Sequence, residues 1–383
     1  MNINYGKHYI DNIDREEAIK VLKSGWLTQG PSVNKFELDL KKYFNSKYCV
    51  VVSNGTAALH LAIKVLNLKI GTKVLTTPIT FISTASSIIM NQLIPEFADI
   101  DKNTFTLDPN YVEYKLKKDK KIKVIVGVDY AGHPCDWESL NFLKKKYNLI
   151  LINDNCHAMG SNIKGNKGYA VKYADIVTHS FHPVKNFTTC EGGSILTNNK
   201  SFYESFLLLR SHGMIKSKKN LNKYGSWFYE VKEIGYNYRL TDLQSAIGSS
   251  QLKKLDKFVT KRRHIADFYN RIFCKYEFMD IPKTKKNIQH SFHLYPLLIN
   301  FKSKKISKKF FFRKMKEKGI NLQVHYIPLH FQPFLKNNFS HIKNTKYPVA
   351  ENFYNREVSL PIYFSLKYNE LKYVAKNIVN FFK

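Results

Sequence analysis

Short apolar runs alternate with amphipathic stretches through the first half of the chain, and that pattern restricts the fold more than any other feature. Tyr48–Val52, Lys73–Thr76, Ile94–Phe97, Ile122–Val128, Leu149–Ile152, Asp175–Ser180 and Ser194–Thr197 read as strands, with helical periods between most of them. Such alternation builds βαβ units, hence an α/β fold with a mainly parallel sheet covered on both faces. A sheet of this kind collects its chemistry at the carboxyl ends of its strands. Asp14 with Glu17 predicts a helix start running to about Lys23, and Pro31 opens a helix to about Phe44. From about Leu240 to Asn270, the spacing of Leu243, Ile247, Leu252 and Leu255 predicts one long helix leading into a smaller unit. The remainder reads as α+β, with strand-like Phe292–Ile299 and Leu322–His325 and helices near Ser307–Lys318, Tyr347–Asn355 and Glu370–Phe382. The expected division is a large domain over residues 1–250 and a small one over 251–383.

At 383 residues and 44% hydrophobic, the chain has globular composition, which excludes a disordered tail protein or a disulfide-stapled miniprotein. Its 61 Lys and Arg against 30 Asp and Glu leave a formal charge of +31, which raises nucleic acid or an anionic membrane as a partner. The lysines, however, lie in small scattered groups such as Lys117–Lys118, Lys253–Lys254 and Lys308–Lys309. With abundant Asn, Ile, Phe and Tyr around them, they read as A/T-rich codon bias. Neither basic clusters interleaved with aromatics nor a helix-turn-helix is found, so no nucleic-acid partner is expected. Cys49, Cys135, Cys156, Cys190 and Cys274 have no paired C-x-x-C spacing, and a reducing compartment without a disulfide framework is expected. The longest apolar stretches fall far below the roughly 20 residues of a spanning helix, and the N-terminus lacks an apolar run. A soluble cytoplasmic protein with no membrane partner is the expectation.

Three segments stand out as carriers of chemistry. Ser53-Asn-Gly55-Thr56 follows the first apolar strand and leads into a helical pattern. A strand, a Gly turn, a hydroxyl and a helix N-terminus together supply donors for a phosphate, although a tight turn with a Thr cap reads equally well. Asp154 ends an apolar strand, where a carboxylate acts as a base, a metal ligand, a holder of a pyridinium proton or merely a cap. Cys156 and His157 beside it lack a third ligand at a helpful spacing, so no metal is expected. In Ser180-Phe-His182-Pro-Val-Lys185, a lysine lies just past a strand in a Lys-poor segment, where partial burial makes an amine a usable nucleophile. A phosphate anchor, a pyridinium partner and an amine in this order are what pyridoxal phosphate requires of a protein.

On these motifs, together with Val128-Asp-Tyr-Ala-Gly132, Arg210-Ser-His-Gly-Met214, His293-Leu-Tyr-Pro296 and Gln323-Val-His-Tyr-Ile-Pro328, the chain resembles the DegT/DnrJ/EryC1/StrS sugar-nucleotide aminotransferases. The resemblance implies a PLP-dependent transferase type I (aspartate aminotransferase-like) fold, with pyridoxal 5'-phosphate in the large domain. It implies that Lys185 binds the cofactor covalently and that Asp154 pairs with its ring nitrogen. Gly55, Thr56 and Ser180 would hold the phosphate, Phe81 would stack on the ring, and His157 and His182 would stand in contact. Asn237 would reach a neighbouring subunit's phosphate, making a homodimer with shared active sites. Arg239, His325 and Tyr326 are candidates for substrate contact, with structural packing as the other reading. The motifs look closest to the branch that aminates a UDP-linked 2-acetamido-2,6-dideoxy-4-keto sugar with L-glutamate, in pseudaminic acid biosynthesis. A sister activity on another UDP- or dTDP-linked keto sugar is the alternative. Asn155-Cys156 and Cys190 depart from the family's usual residues.

Overall fold

The computed structural model describes residues 2–383. Seven strands form the central sheet: β1 (Tyr48–Val52), β2 (Lys73–Thr76), β3 (Ile94–Phe97), β4 (Ile122–Val128), β5 (Ile150–Asp154), β6 (Ile176–Ser180) and β7 (Gly193–Thr197). Their spatial order is β1-β7-β6-β5-β4-β2-β3, parallel throughout except for β7, which runs antiparallel to both β1 and β6. Because helices cover both faces, the strands are apolar without alternation, as in Val50-Val51-Val52, each at most 1% exposed. No described helix is long and apolar enough to cross a membrane.

The first strand is preceded by α1 (Asn12–Leu22) and α2 (Pro31–Phe44). The start of α1 differs from the expectation. Its cap is Asp11, which exchanges hydrogen bonds with Asp14 in a capping box, so Asp14 lies inside the helix. The reason is tertiary: Asp14 is buried and accepts from Ser250 at 2.6 Å, Gln251 at 2.6 Å and Lys254 at 2.8 Å. The same contacts explain why the long helix divides into α5 (Asp242–Leu252) and α6 (Leu255–Phe273), with the Lys254 ammonium drawn to Asp11 and Asp14.

Helix α2 has no side-chain cap of its own; Asp242 at the start of α5 accepts the N–H groups of Gly30 at 2.7 Å and Ser32 at 2.8 Å. Beyond this shared cap, Gly248 lets α5 press onto α2, because a Cβ there would meet Phe36 Cζ at 2.5 Å and Thr189 Cγ2 at 2.8 Å.

The second core surrounds a three-stranded antiparallel sheet, β8 (Met279–Asp280), β9 (Tyr295–Ile299) and β10 (Glu357–Leu360), with β9 central. Helix α6 joins the two cores: Leu255, Phe258 and Val259 pack in the first, Ile265, Tyr269 and Phe273 in the second. The chain's beginning returns to this second core, where Ile3 bridges Ile320. Leu322–His325 does not form a strand. Gln323 makes one bridge to Ser359, and the next inward N–H, that of His325, turns to the Glu357 side chain at 3.1 Å instead of continuing the ladder.

Gly248→Ala tests the α2–α5 contact. Helix propensity alone would stabilise the variant by about 1 kcal/mol, whereas overpacking costs about 1–3 kcal/mol and the 2.5 Å approach places it high in that range. The urea midpoint is expected to fall; a raised midpoint would mean that Phe36 steps aside freely.

Candidate active site

A cavity of about 870 Å³ opens where β5 and β6 end, beside the first turn of α3 (Gly55–Lys64) and that of α4 (Ile82–Met90). Gly55, Thr56, Phe81, Asp154, His157, Ser180, His182, Lys185, His325 and Tyr326 all line it. Two candidates do not. Asn237 is exposed on the outer side of an extended segment whose Tyr236 and Tyr238 rings stack at 4.9 Å. Arg239 lines a separate hollow with Gln29 and Arg210.

Asp154 is aimed by its neighbours. In a strand, alternate residues face opposite sides, and the flanking Asn153 and Asn155 donate to the buried carboxylate of Asp129 at 3.1 and 2.8 Å. Asp129 further accepts from Cys135 N–H at 2.7 Å, Trp137 Nε1 at 2.9 Å and Tyr169 Oη at 2.7 Å. Burial still raises its pKa, with those donors opposing. With both neighbours tied to Asp129, Asp154 takes the cavity side. There its carboxylate accepts from Thr84 Oγ1 at 2.8 Å and Cys156 N–H at 3.3 Å.

Lys185 sits on a loop held at both ends by buried aromatics, Phe181 and Phe187, whose rings stack at 4.9 Å against Phe36. Thr188 Oγ1 and Thr189 N–H both donate to Phe181 O, at 2.8 and 3.1 Å, closing the loop. Burial lowers the Lys185 amine below its ordinary pKa, against the opposing effect of Cys156 and Asp154. Lys185 and Asp154 form no ion pair within 4.0 Å, so the amine is not locked as an ammonium by that carboxylate.

At the head of α3, Asn54 caps the helix by accepting from Ala57 N–H at 2.8 Å, and the N–H groups of Gly55 and Thr56 keep no acceptor among the described residues. A Cβ on Gly55 would stand 2.7 Å from that of Ser180, so glycine is what lets this turn close on the end of β6. Free amides, two hydroxyls and a helix N-terminus make a concave set of donors of the kind that suits an anion.

Burial lowers the pKa of His157, His182, His293 and His325 alike, the last to about 3, so these imidazoles are neutral near neutral pH. Ala131 N–H donates to His157 Nδ1 at 3.3 Å. The His157 proton therefore sits on Nε2 and is donated to Tyr326 Oη at 3.0 Å. Phe81, 54% exposed, caps α4 at the cavity wall, with its ring 6.1 Å from that of Tyr326.

Sequence reasoning missed Tyr5, Thr84 and His293. Thr84 lies one helical turn beyond Phe81, and that spacing was a usable signal. Tyr5 comes from the chain's first residues and His293 from the second core; no local pattern ties either to Lys185.

A family model for the DegT/DnrJ/EryC1/StrS aminotransferase family matches residues 8–379. The chain belongs to this family. It is 38% identical over 377 residues to the UDP-4-amino-4,6-dideoxy-N-acetyl-beta-L-altrosamine transaminase of Campylobacter jejuni, covering 98% of this chain and 96% of the relative. Among solved structures, Helicobacter pylori PseC, an aminotransferase involved in pseudoaminic acid biosynthesis, superposes with a TM-score of 0.92 at 32% identity, covering 100% and 99% of the two chains. Bacillus subtilis NtdA, solved with bound cofactor PMP, superposes with a TM-score of 0.84 at 26% identity, covering 97% and 83%. The chain is thus an aminotransferase with the fold of the sugar aminotransferases.

In this family member, Asp129→Ala strips a shared acceptor from five donors. Each donor left unpaired costs about 1–3 kcal/mol, so even partial relaxation predicts a loss of at least about 3 kcal/mol in urea unfolding. A loss under about 1 kcal/mol would mean that water replaces the carboxylate.

Proposed function

We propose that the protein is a pyridoxal 5'-phosphate-dependent aminotransferase that converts a UDP-linked 2-acetamido-2,6-dideoxy-β-L-arabino-hex-4-ulose into its 4-amino sugar with L-glutamate, in pseudaminic acid biosynthesis. The observation that carries the chemistry is the meeting of Lys185, Asp154 and the Gly55–Thr56–Ser180 cradle in one cavity. The full-length likeness to the Campylobacter jejuni transaminase and to PseC supports the sugar.

When bound, pyridoxal phosphate supplies an aldehyde that condenses with amines and a cationic ring that takes up the electron pair left by a broken C–H bond. The residues present fit that group. Thr56, Ser180 and the free amides of α3 would hold its phosphate, and Phe81 would cover a ring face. Asp154, which accepts from Thr84 Oγ1 and Cys156 N–H, would hold the proton on the ring nitrogen. Lys185 Nζ, its proton affinity lowered by burial, anchors the cofactor and then carries the proton taken from the donor's Cα. His157 and His182 contact the bound group as neutral imidazoles.

Among the described residues, none that lines the cavity carries a guanidinium for a diphosphate or for glutamate's carboxylates. We assign that role to a homodimer in which Asn237 reaches the partner's phosphate and Arg239 its substrate. The exposed apolar side chains of the preceding segment, Trp227 at 77% and Ile234 at 82%, support such a surface. His325 and Tyr326 stand at the sugar's side of the cavity, with the large domain ending near residue 250 and the small one running over 251–383, while the segment at Ile3 packs on the small domain and the start of α6 on the large one.

Borohydride treatment of the yellow protein, followed by peptide mapping, is expected to place the label on Lys185; a label on another lysine defeats the assignment. Lys185→Ala should lose at least about 10³-fold in turnover, at the upper end of what a positioned acid–base group contributes. Asp154→Asn should keep cofactor bound and still lose rate. Steady-state kinetics should be ping-pong, and the L-arabino UDP-keto sugar should outcompete dTDP-linked 4-keto sugars. Equal use of both would remove the substrate assignment and leave the aminotransferase chemistry standing.

A further inference from the structure

Behind the cavity wall lies a chain of polar groups that the proposed chemistry has not used. Glu357, at the start of β10, is 0% exposed. Its carboxyl accepts His325 N–H at 3.1 Å through Oε2 and Ser359 Oγ at 2.5 Å through Oε1. Burial raises its pKa to about 7, against the opposing pull of Lys308, on the helix Lys308–Glu317, and of the two donors, so the carboxylate is the main form above that pH and the form in which the protons are assigned. Ser359 Oγ also stands 2.8 Å from His325 Nδ1. A hydroxyl has one proton, and an ionised carboxylate only accepts. Ser359 therefore spends its proton on Glu357 and must accept from His325, which places the imidazole's single proton on Nδ1. The backbone of His325 is held on its other side by Tyr130 Oη, which donates to His325 O, and Tyr5 packs its ring 5.2 Å from the imidazole. Nε2, the remaining ring nitrogen of a cavity-lining residue, has no partner among the described residues.

We infer that Glu357 and Ser359 are positioning residues that lock His325 with its proton on Nδ1, so that Nε2 offers the cavity a hydrogen-bond acceptor for an O–H or N–H group of the sugar substrate. The tautomer follows from this chain's own residues; the ligand rests on the proposed sugar reading. The neutral ring is secure, since burial and the neighbouring Lys185 hold His325 down to about 3. A carboxamide at position 357 reverses the two side-chain bonds that lead from it through Ser359 to the imidazole. Its oxygen must stay where His325 N–H points, so its NH₂ faces Ser359 and donates. Ser359 then donates to Nδ1, and the imidazole proton moves to Nε2.

The test is Glu357→Gln, read first by ¹⁵N NMR of imidazole-labelled protein without cofactor at a pH well above 7, where Glu357 is ionised, with His325 assigned from the signal lost in His325→Gln. Wild type should show an unprotonated Nε2 and Glu357→Gln a protonated one. A protonated Nε2 in the wild type, or no change in the variant, overturns the lock. In the loaded enzyme the variant should raise the sugar's KM about tenfold, as loss of one hydrogen bond does, with kcat and the donor's KM moving far less. A shifted tautomer with an unmoved sugar KM overturns the role given to Nε2. Ser359→Ala repeats the reading should Glu357→Gln not fold: its His325 signals should move to values averaged over both tautomers, and unmoved signals overturn the proposal. Absence of turnover by the wild type on any UDP-linked keto sugar would defeat the functional reading alone, because the tautomer is measured by NMR without any substrate.

Discussion

The buried carboxylate of Asp129 is the constraint on which the site depends. A charge taken fully out of water costs several kcal/mol even after relaxation, and here it is offset by five donors from three parts of the chain. Two are the side chains either side of Asp154, two come from Cys135 and Trp137 just beyond β4, and the fifth is Tyr169. Satisfying one buried charge therefore fixes the ends of β4 and β5 to each other and leaves Asp154 a single direction to face. Charge-assisted hydrogen bonds are about twice as strong as neutral ones, so the arrangement is stiff as well as specific.

Burial acts on the cavity's cations and histidines in one direction. It lowers the Lys185 amine and the four imidazoles alike, since each loses more by carrying charge in a poorly solvated space. Asp154 has donors of its own, Thr84 Oγ1 and Cys156 N–H. The result is a cavity lined by the carboxyls of Asp154 and Glu191 and by four neutral imidazoles, among which His157 and His325 have their protons assigned by fixed partners. Such a wall recognises hydroxyls and amides by direction rather than by charge, which suits a hexose more than an amino acid.

The sheet was legible because each strand is apolar, short and bounded by helical periods. β1 to β4 have the limits read from the chain. β5 runs on to Asp154, past the last apolar residue, because Asn153 and Asp154 stay in the ladder for a reason held on another strand, the Asp129 carboxylate. The same kind of non-local cause misplaced the start of α1: two acidic residues three apart both look like caps, and only the burial of Asp14 under α5 tells them apart. Within the cavity, Lys185, Asp154, Gly55, Thr56 and Ser180 were legible from their positions after strands. His293 and Tyr5 were not, since they arrive from segments whose own patterns speak only of packing.

That difference follows from how the cavity is assembled. Its floor belongs to the seven-stranded sheet, but His293, His325, Tyr326 and Tyr5 come from segments that pack with the second core, so its shape depends on how the two cores dock. Arg262, on the bridging helix α6, fixes that docking. Its guanidinium is buried, has no carboxylate partner among the described residues, and donates to the carbonyls of Phe292, His293 and Ile362 at 3.4, 3.2 and 2.7 Å. Burial lowers its pKa to about 10, which leaves it charged at neutral pH. All three carbonyls are reached by the one nitrogen Nη1, whose two protons are shared among them. The cation thus ties the backbone that carries His293 to the segment following β10, from which Glu357 and Ser359 support His325. One helix thereby sets the positions of two cavity imidazoles at once.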